Sequence, residues 1–323
     1  MMHEEFPLVS VVVLTYNGLE FLQKTVQPLL DLSYPNLEII YVDNASTDGS
    51  VEYLKQFSRI VVIENKINEG FNKGKNIGIQ HAKGEYVFSL DGDILINDKD
   101  VVERMVERFT PGTGIIQLPL FDVDKEKTKY YGIYFTAFGV HRNIPWASRE
   151  EISKLPEMLP IASATGACLF FRRDVWNGLG GFDESQVYHL DESDIGPRFA
   201  IFGYSNFLYT KRVLTHLGVK HASSSKIYAH RYRYLFSGEG VSIIKNDTFG
   251  DVCLRFPLFF LYQCIKAIRF SFIKGDIRVF YNFCVSIGIF FSILPNALRN
   301  RKDLQSRRKV ATDDFLSIKP PRL

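Results

Sequence analysis

An α/β fold is predicted: a mostly parallel sheet with helices on both faces, followed by a C-terminal helical segment. Three observations carry this. Apolar runs alternate with helical spacings through the first half of the 323 residues. Those runs are apolar throughout, as strands buried on both faces require. After about Tyr234 the composition shifts to long apolar stretches and a basic tail.

Leu8 to Thr15 is a continuous apolar strand. Leu19 to Leu32 sets Leu19, Leu22, Val26, Leu29 and Leu30 at helical spacing. Strands follow at Leu37 to Val42, Arg59 to Ile63 and Glu85 to Leu90, with helices at Ser50 to Phe57 and Asn72 to Ala82 between them. This β-α-β order implies parallel pairing with crossover helices. From Gly112 to Phe171 the signals shorten and become β-like, which predicts a mixed or antiparallel extension and a long loop near Pro145 to Pro160. Asp191 to Phe202 reads as a helix whose start Gly196-Pro197 should disturb.

Composition is globular, 46% hydrophobic and 23% charged. A net charge of +3 gives no reason to expect nucleic acid. Cys168, Cys253, Cys264 and Cys284 are scattered, which predicts neither a zinc site nor a disulfide framework and fits a reducing compartment. Met1 to Phe6 holds two acids and no basic apolar leader, so no secretory signal is expected.

The chemistry gathers at strand ends. Ser89-Leu90-Asp91-Gly92-Asp93 releases two carboxylates where a buried strand stops. In open α/β sheets ligands bind at such carboxyl ends. Two hard oxygen donors there suit a divalent cation that also holds substrate phosphates. Thr15-Tyr16-Asn17-Gly18 and Asp43 to Ser50 end the first two strands on the same edge. Asp43 is placed to accept from a nucleobase or ribose, while Asp48 is expected to cap the next helix. Asn68 to Asn76, with Lys75, opens a helix whose N-terminus and lysines favour anions.

These four blocks, in this order, resemble the N-terminal half of inverting family 2 glycosyltransferases with the GT-A fold, and most of all their rhamnosyltransferase-like members. The resemblance continues through Thr165-Gly166-Ala167, Gly180 to Glu184 and Asp191-Glu192-Ser193-Asp194, covering about residues 7 to 235. It implies a GT-A domain over 1–235; composition, not the resemblance, reads 236–323 as amphipathic, membrane-associated helices and a basic tail. It implies that Thr15, Asn17, Asp43, Asn68, Lys75, Asp91 and Gly166 bind a nucleotide-diphosphate sugar. Asp93, with Asp91 and His216, would hold Mn²⁺ or Mg²⁺, which acts as a Lewis acid on the departing diphosphate. The general base would come from Asp191, Glu192 or Asp194. The family normally has Glu-Asp where this chain has Asp191-Glu192, and Glu192 is favoured.

The implied reaction is transfer of a sugar, with inversion, to a lipid-linked or polysaccharide hydroxyl. A catalytically inactive nucleotide-binding scaffold of the same fold is the alternative. A nucleotidyltransferase would need a Gly-rich basic loop that Thr15 to Gly18 does not supply. Phe256 to Phe272, broken by Gln263, Lys266 and Arg269, reads as an amphipathic helix in a membrane interface. Val279 to Pro295 is at the short limit for a span. Basic residues from Arg299 to Arg308 suit anionic headgroups. The expected location is cytoplasmic, peripheral on the inner face of the cell membrane. A pair of core helices capping the domain is the competing reading, and the oligomeric state is not legible.

Overall fold

The structure, a computed structural model, describes residues 6–123, 128–130, 132–144, 147–185, 191–218, 225–312 and 316–321, without the side chains of 128–130, 191 and 225–231. The first half runs β1 (Val9–Thr15), α1 (Leu19–Leu30), β2 (Leu37–Asp43), α2 (Ser50–Leu54), β3 (Ile60–Glu64), α3 (Phe71–His81), β4 (Tyr86–Asp91), β5 (Ile94–Ile96), α4 (Val101–Arg108), β6 (Thr113–Gln117) and β7 (Leu120–Asp122). The second half runs β8 (Thr128–Tyr130), β9 (Ile133–Phe135), β10 (His141–Asn143), α5 (Arg149–Ser153), β11 (Met158–Ile161), β12 (Cys168–Arg172), α6 (Arg173–Leu179), α7 (Asp191–Ile201), β13 (Ser205–Tyr209), β14 (Leu214–His216), α8 (Ser225–Asn246), α9 (Phe249–Lys274) and α10 (Arg278–Ser306).

An eight-stranded sheet has the order β11-β13-β6-β12-β4-β1-β2-β3. β1 pairs in parallel with β2 and β4, and β2 with β3, as the apolar runs imply. β12 enters antiparallel between β4 and β6, which realises the expected mixed extension. A smaller sheet of order β5-β14-β7-β8 stands after β4. Val9, Val11 and Val13 of β1 face one core with Leu22, Val26 and Phe88. Val12 faces the other core with Ile79, Val87 and Trp176. A third cluster, around Phe236, Phe259, Phe283 and Phe290, joins α8, α9 and α10.

Two expectations are corrected. The loop anticipated near Pro145 to Pro160 contains α5, started by a Ser148–Glu151 capping box, and most of β11. Gly196-Pro197 lies inside α7 and does not break it. Pro197 brings no N–H to the Ser193 carbonyl, and the Ser242 hydroxyl of α8 donates there instead. The Ser163 hydroxyl donates to the Glu192 carbonyl (2.6 Å) and accepts from the Gly196 N–H (3.2 Å), bridging one turn of α7. A Cβ at position 196 would lie 2.2 Å from that hydroxyl, so only glycine fits. The two apolar stretches become the longer helices α9 and α10, which run through Pro257 and Pro295. The expected boundary at 235/236 falls within α8.

Candidate active site

The carboxyl edge of the large sheet carries the first group of candidate residues. Register sets Thr15 beside Asp43, and Leu14 beside Asp91. Asp43 is 1% exposed, and its Oδ1 accepts from the Ser46 N–H at 2.8 Å. Its Oδ2 is buried and makes no hydrogen bond within the described residues. A buried acceptor without a donor is costly, so Oδ2 is the one Asp43 oxygen left to accept from outside the described residues.

The loops around it are built from side chains. Asn17, at φ 46, accepts from the Thr47 N–H through Oδ1, and its own N–H donates to the Ser46 hydroxyl, both at 2.8 Å. Asp48 caps two helices at once, accepting from the N–H groups of Leu19 (2.9 Å) and Ser50 (3.1 Å). Burial pushes its carboxyl up, but hydrogen bonds from Ser50 and Leu19 outweigh that and hold it below its ordinary value. The Asn68 Oδ1 accepts from the Asn44 amide and the Gly70 N–H, so Asn68 shapes the loop that opens α3.

Lys75 departs from expectation. It is fully buried under the end of β4, where its ammonium donates to the Leu90 carbonyl (2.5 Å) and pairs with Asp91 Oδ1 at 2.9 Å. A lysine so placed orients Asp91 and presents nothing to a phosphate. Gly166 lies in the buried turn ahead of β12, next to Ala167, whose carbonyl accepts the Asp91 N–H.

Asp93 opens β5, and the antiparallel partner of Ile94 is His216 on β14. His216 Nε2 lies 3.5 Å from Asp93 Oδ2, and Nδ1 lies 4.0 Å from Asp122 Oδ1. Asp122 is the register partner of His216 on β7. It is a carboxylate the sequence reading missed, because its run, Leu120-Phe121-Asp122, carries no motif. A Cβ at Gly218 would meet His216 Cε1 at 2.2 Å and Asp93 Oδ2 at 2.6 Å, so glycine keeps the space beside this pair open. Among the described residues no group of three or more His, Cys, Asp or Glu side chains comes together to hold a metal. One carboxylate and one imidazole fit a divalent cation whose other ligands come from substrate phosphates.

The acids of α7 separate clearly. Glu192 is half-buried, and its Oε1 accepts from the Thr165 hydroxyl at 2.7 Å. Asp194 is 1% exposed, with Oδ2 against Lys245 (3.0 Å) and Arg198 (2.8 Å), and Oδ1 accepting from the Asn246 amide (3.0 Å). Lys245 also donates to Asp183 at 2.6 Å. Burial pushes the Asp183 carboxyl up, but the Lys245 ammonium outweighs it and holds it down at about 2. A carboxylate engaged like Asp194 anchors a helix and is corrected as a candidate base. The Asp191 side chain lies outside the described residues.

Comparison with known proteins gives the family and the fold. The glycosyl transferase family 2 pattern matches residues 10–179. The poly-beta-1,6-N-acetyl-D-glucosamine synthase of Staphylococcus epidermidis is 33% identical over 304 residues, 90% of this chain and 71% of that protein. Four other curated relatives are matched over only 24–41% of their length, and EpsE of Bacillus subtilis, 38% identical over 210 residues, over 69%. A crystal structure of S. aureus TarS residues 1–349 with UDP-GlcNAc superposes with a TM-score of 0.59 at 17% identity, over 96% of this chain and 90% of that one. A mannosyltransferase from Pyrobaculum calidifontis, in complex with GDP-Man and Mn²⁺, does so with a TM-score of 0.55 at 16% identity, over 98% and 84%. The structural likenesses show a shared GT-A-like fold, and with the family pattern spanning more than half of the sequence, the chain belongs to glycosyl transferase family 2.

Proposed function

We propose that this chain moves a hexosyl or deoxyhexosyl unit from a nucleoside-diphosphate sugar to a hydroxyl of a lipid-linked or polysaccharide acceptor, with inversion, from the inner face of the cell membrane. The observation that carries the reading is the pairing of Asp93 with His216 at the sheet edge where Asp43 keeps a buried acceptor unsatisfied. The nucleoside is held by Asp43. Asp93 and His216 would hold Mn²⁺ or Mg²⁺, with Asp91 steadied beside them by Lys75. That ion, when bound, neutralises charge on the leaving diphosphate. Glu192 accepts the proton of the acceptor hydroxyl, which must come within hydrogen-bond reach of its carboxylate. A single displacement, with acceptor and leaving group on opposite sides, inverts the sugar carbon. Relatives that act on bacterial glycans support the acceptor class, and the rhamnosyltransferase-like motif order supports the donor class.

The test is a titration against UDP, GDP, dTDP and CDP, each with and without Mn²⁺, with Asp93→Ala as control, followed by turnover with the sugar form of the nucleotide that binds. Metal-dependent binding of one nucleotide, lost in the variant, is expected. Binding without turnover on any glycan acceptor would leave the inactive scaffold as the reading. Binding of none would overturn the donor site.

A further inference from the structure

Helix α9 has two unlike faces. Phe259, Gln263 and Ala267 are buried against the neighbouring helices. On the opposite side Leu254, Leu258, Leu261, Ile265, Ile268 and Phe272 follow one another at steps of four and three, each 42–83% exposed. At 1.5 Å per residue this stripe is about 27 Å long. The turn into α10 extends it with Ile273 and Ile277, both more than half exposed. Asp276, the acid of that turn, is withdrawn: it is 8% exposed and accepts from the Arg278 N–H (3.0 Å) and guanidinium (2.8 Å).

Charge says what covers this face. Between residues 252 and 302 the exposed cations are Arg269, Lys274, Arg278, Arg299 and Lys302, against one acid, the withdrawn Asp276. Two such surfaces repel each other, which disfavours a second copy as the occupant. Crossing the bilayer is disfavoured by attachment. Gln263 donates to Glu239 of α8, and the Ser237 N–H of α8 donates to the Ser286 hydroxyl of α10 at 3.0 Å. Each helix also has an 18-residue window apolar enough to span, only 17% and 22% of which is buried; a core helix would be mostly buried.

We propose that the outer face of α9 and the α9–α10 turn form a monotopic docking surface for an anionic lipid leaflet. α9 lies in the plane of the interface, Phe272, Ile273 and Ile277 enter the acyl region, and Arg269, Lys274 and Arg278 meet the headgroups. This deepens the membrane part of the function proposed above and is independent of the transfer chemistry.

The test is flotation of the full chain with vesicles of phosphatidylcholine and phosphatidylglycerol, or of phosphatidylcholine alone. Binding is expected to the anionic vesicles and to fall about tenfold or more in Phe272→Asp/Ile273→Asp. Thermal unfolding of that variant shows that it is folded, and Leu261→Gln/Ile265→Gln replaces it if it is not. Phe272→Trp is expected to be quenched by lipids brominated in their acyl chains. Wild type that does not float overturns the surface and the membrane location together. Variants that float like wild type, or an unquenched tryptophan, overturn the surface alone. A dimer that the variant converts to monomer, without flotation, assigns the face to a second copy. The transfer reading is judged separately by the nucleotide titration.

Discussion

Asp43 and Asp91 stand on parallel strands one place removed from each other, and the loop that finishes β2 is tied by neighbours within about thirty residues. Glu192 and Asp194 stand on a helix held by residues about fifty positions further along the chain: Ser242, Lys245 and Asn246. The donor edge follows from sheet topology and local capping. The base-bearing helix depends on a second unit packed against it. On the proposed reading, the C-terminal helices brace the acceptor side as well as carrying the proposed lipid-facing surface.

The largest effect that sharpens this contrast is expected from Glu192→Gln. Turnover should fall about 10²- to 10⁴-fold, while nucleotide binding by calorimetry stays unchanged. Equal loss of both would erase the division between the two sides. Lys245→Met removes the cation shared by Asp183 and Asp194 and leaves two buried carboxylates. Urea denaturation should show a loss of about 3–5 kcal/mol; wild-type stability would mean that α8 does not hold α7.

Asp183→Asn tests the same junction through pH. The native carboxyl is held at about 2, below its ordinary 3.8, so its contribution is full above pH 4 and is lost as pH falls through 2. The variant should be weaker by about 2 kcal/mol at pH 7, with the difference falling to a few tenths of a kcal/mol near pH 2. Thr165→Val removes the hydroxyl that donates to Glu192 and holds its carboxylate in place. Turnover should fall about tenfold and be restored by Thr165→Ser, with nucleotide binding unchanged. On the donor edge, Gly218→Ala puts a methyl against His216 and Asp93. Mn²⁺-dependent nucleotide affinity should drop about fivefold, with metal-free binding unaffected.

The donor edge was legible because each part is local: an apolar run, then a turn, then a carboxylate. The parallel order of β1, β2, β3 and β4 follows from the same pattern. Lys75 was misread because a lysine at a helix start looks solvated, and only the packing of α3 under β4 shows it paired with Asp91. Asp122 and the space beside Gly218 arise from strand register in the small sheet, between segments about ninety residues apart, which no local pattern records. Asp191-Glu192-Ser193-Asp194 read as one acidic cluster. The structure divides it, because Asp194 turns into the ion pairs with Lys245 and Arg198 while Glu192 reaches Thr165. The interior proline of α7 was expected to damage the helix, and its repair by Ser242 comes from a segment no window around Pro197 contains.

That repair gives the protein a schedule. A ribosome adding about 5–20 residues per second makes β13, the last strand of the large sheet, about 2–7 s before it reaches Asn246 at the end of α8. Until Ser242, Lys245 and Asn246 have emerged, the Ser193 carbonyl and the Asp194 carboxylate lack their closing partners. The nascent chain can thus complete the sheet edge proposed to hold the nucleotide seconds before the helix proposed to carry the base is locked. During that interval a donor could be held but not spent, and the last helices to be made are also those with the lipid-facing surface.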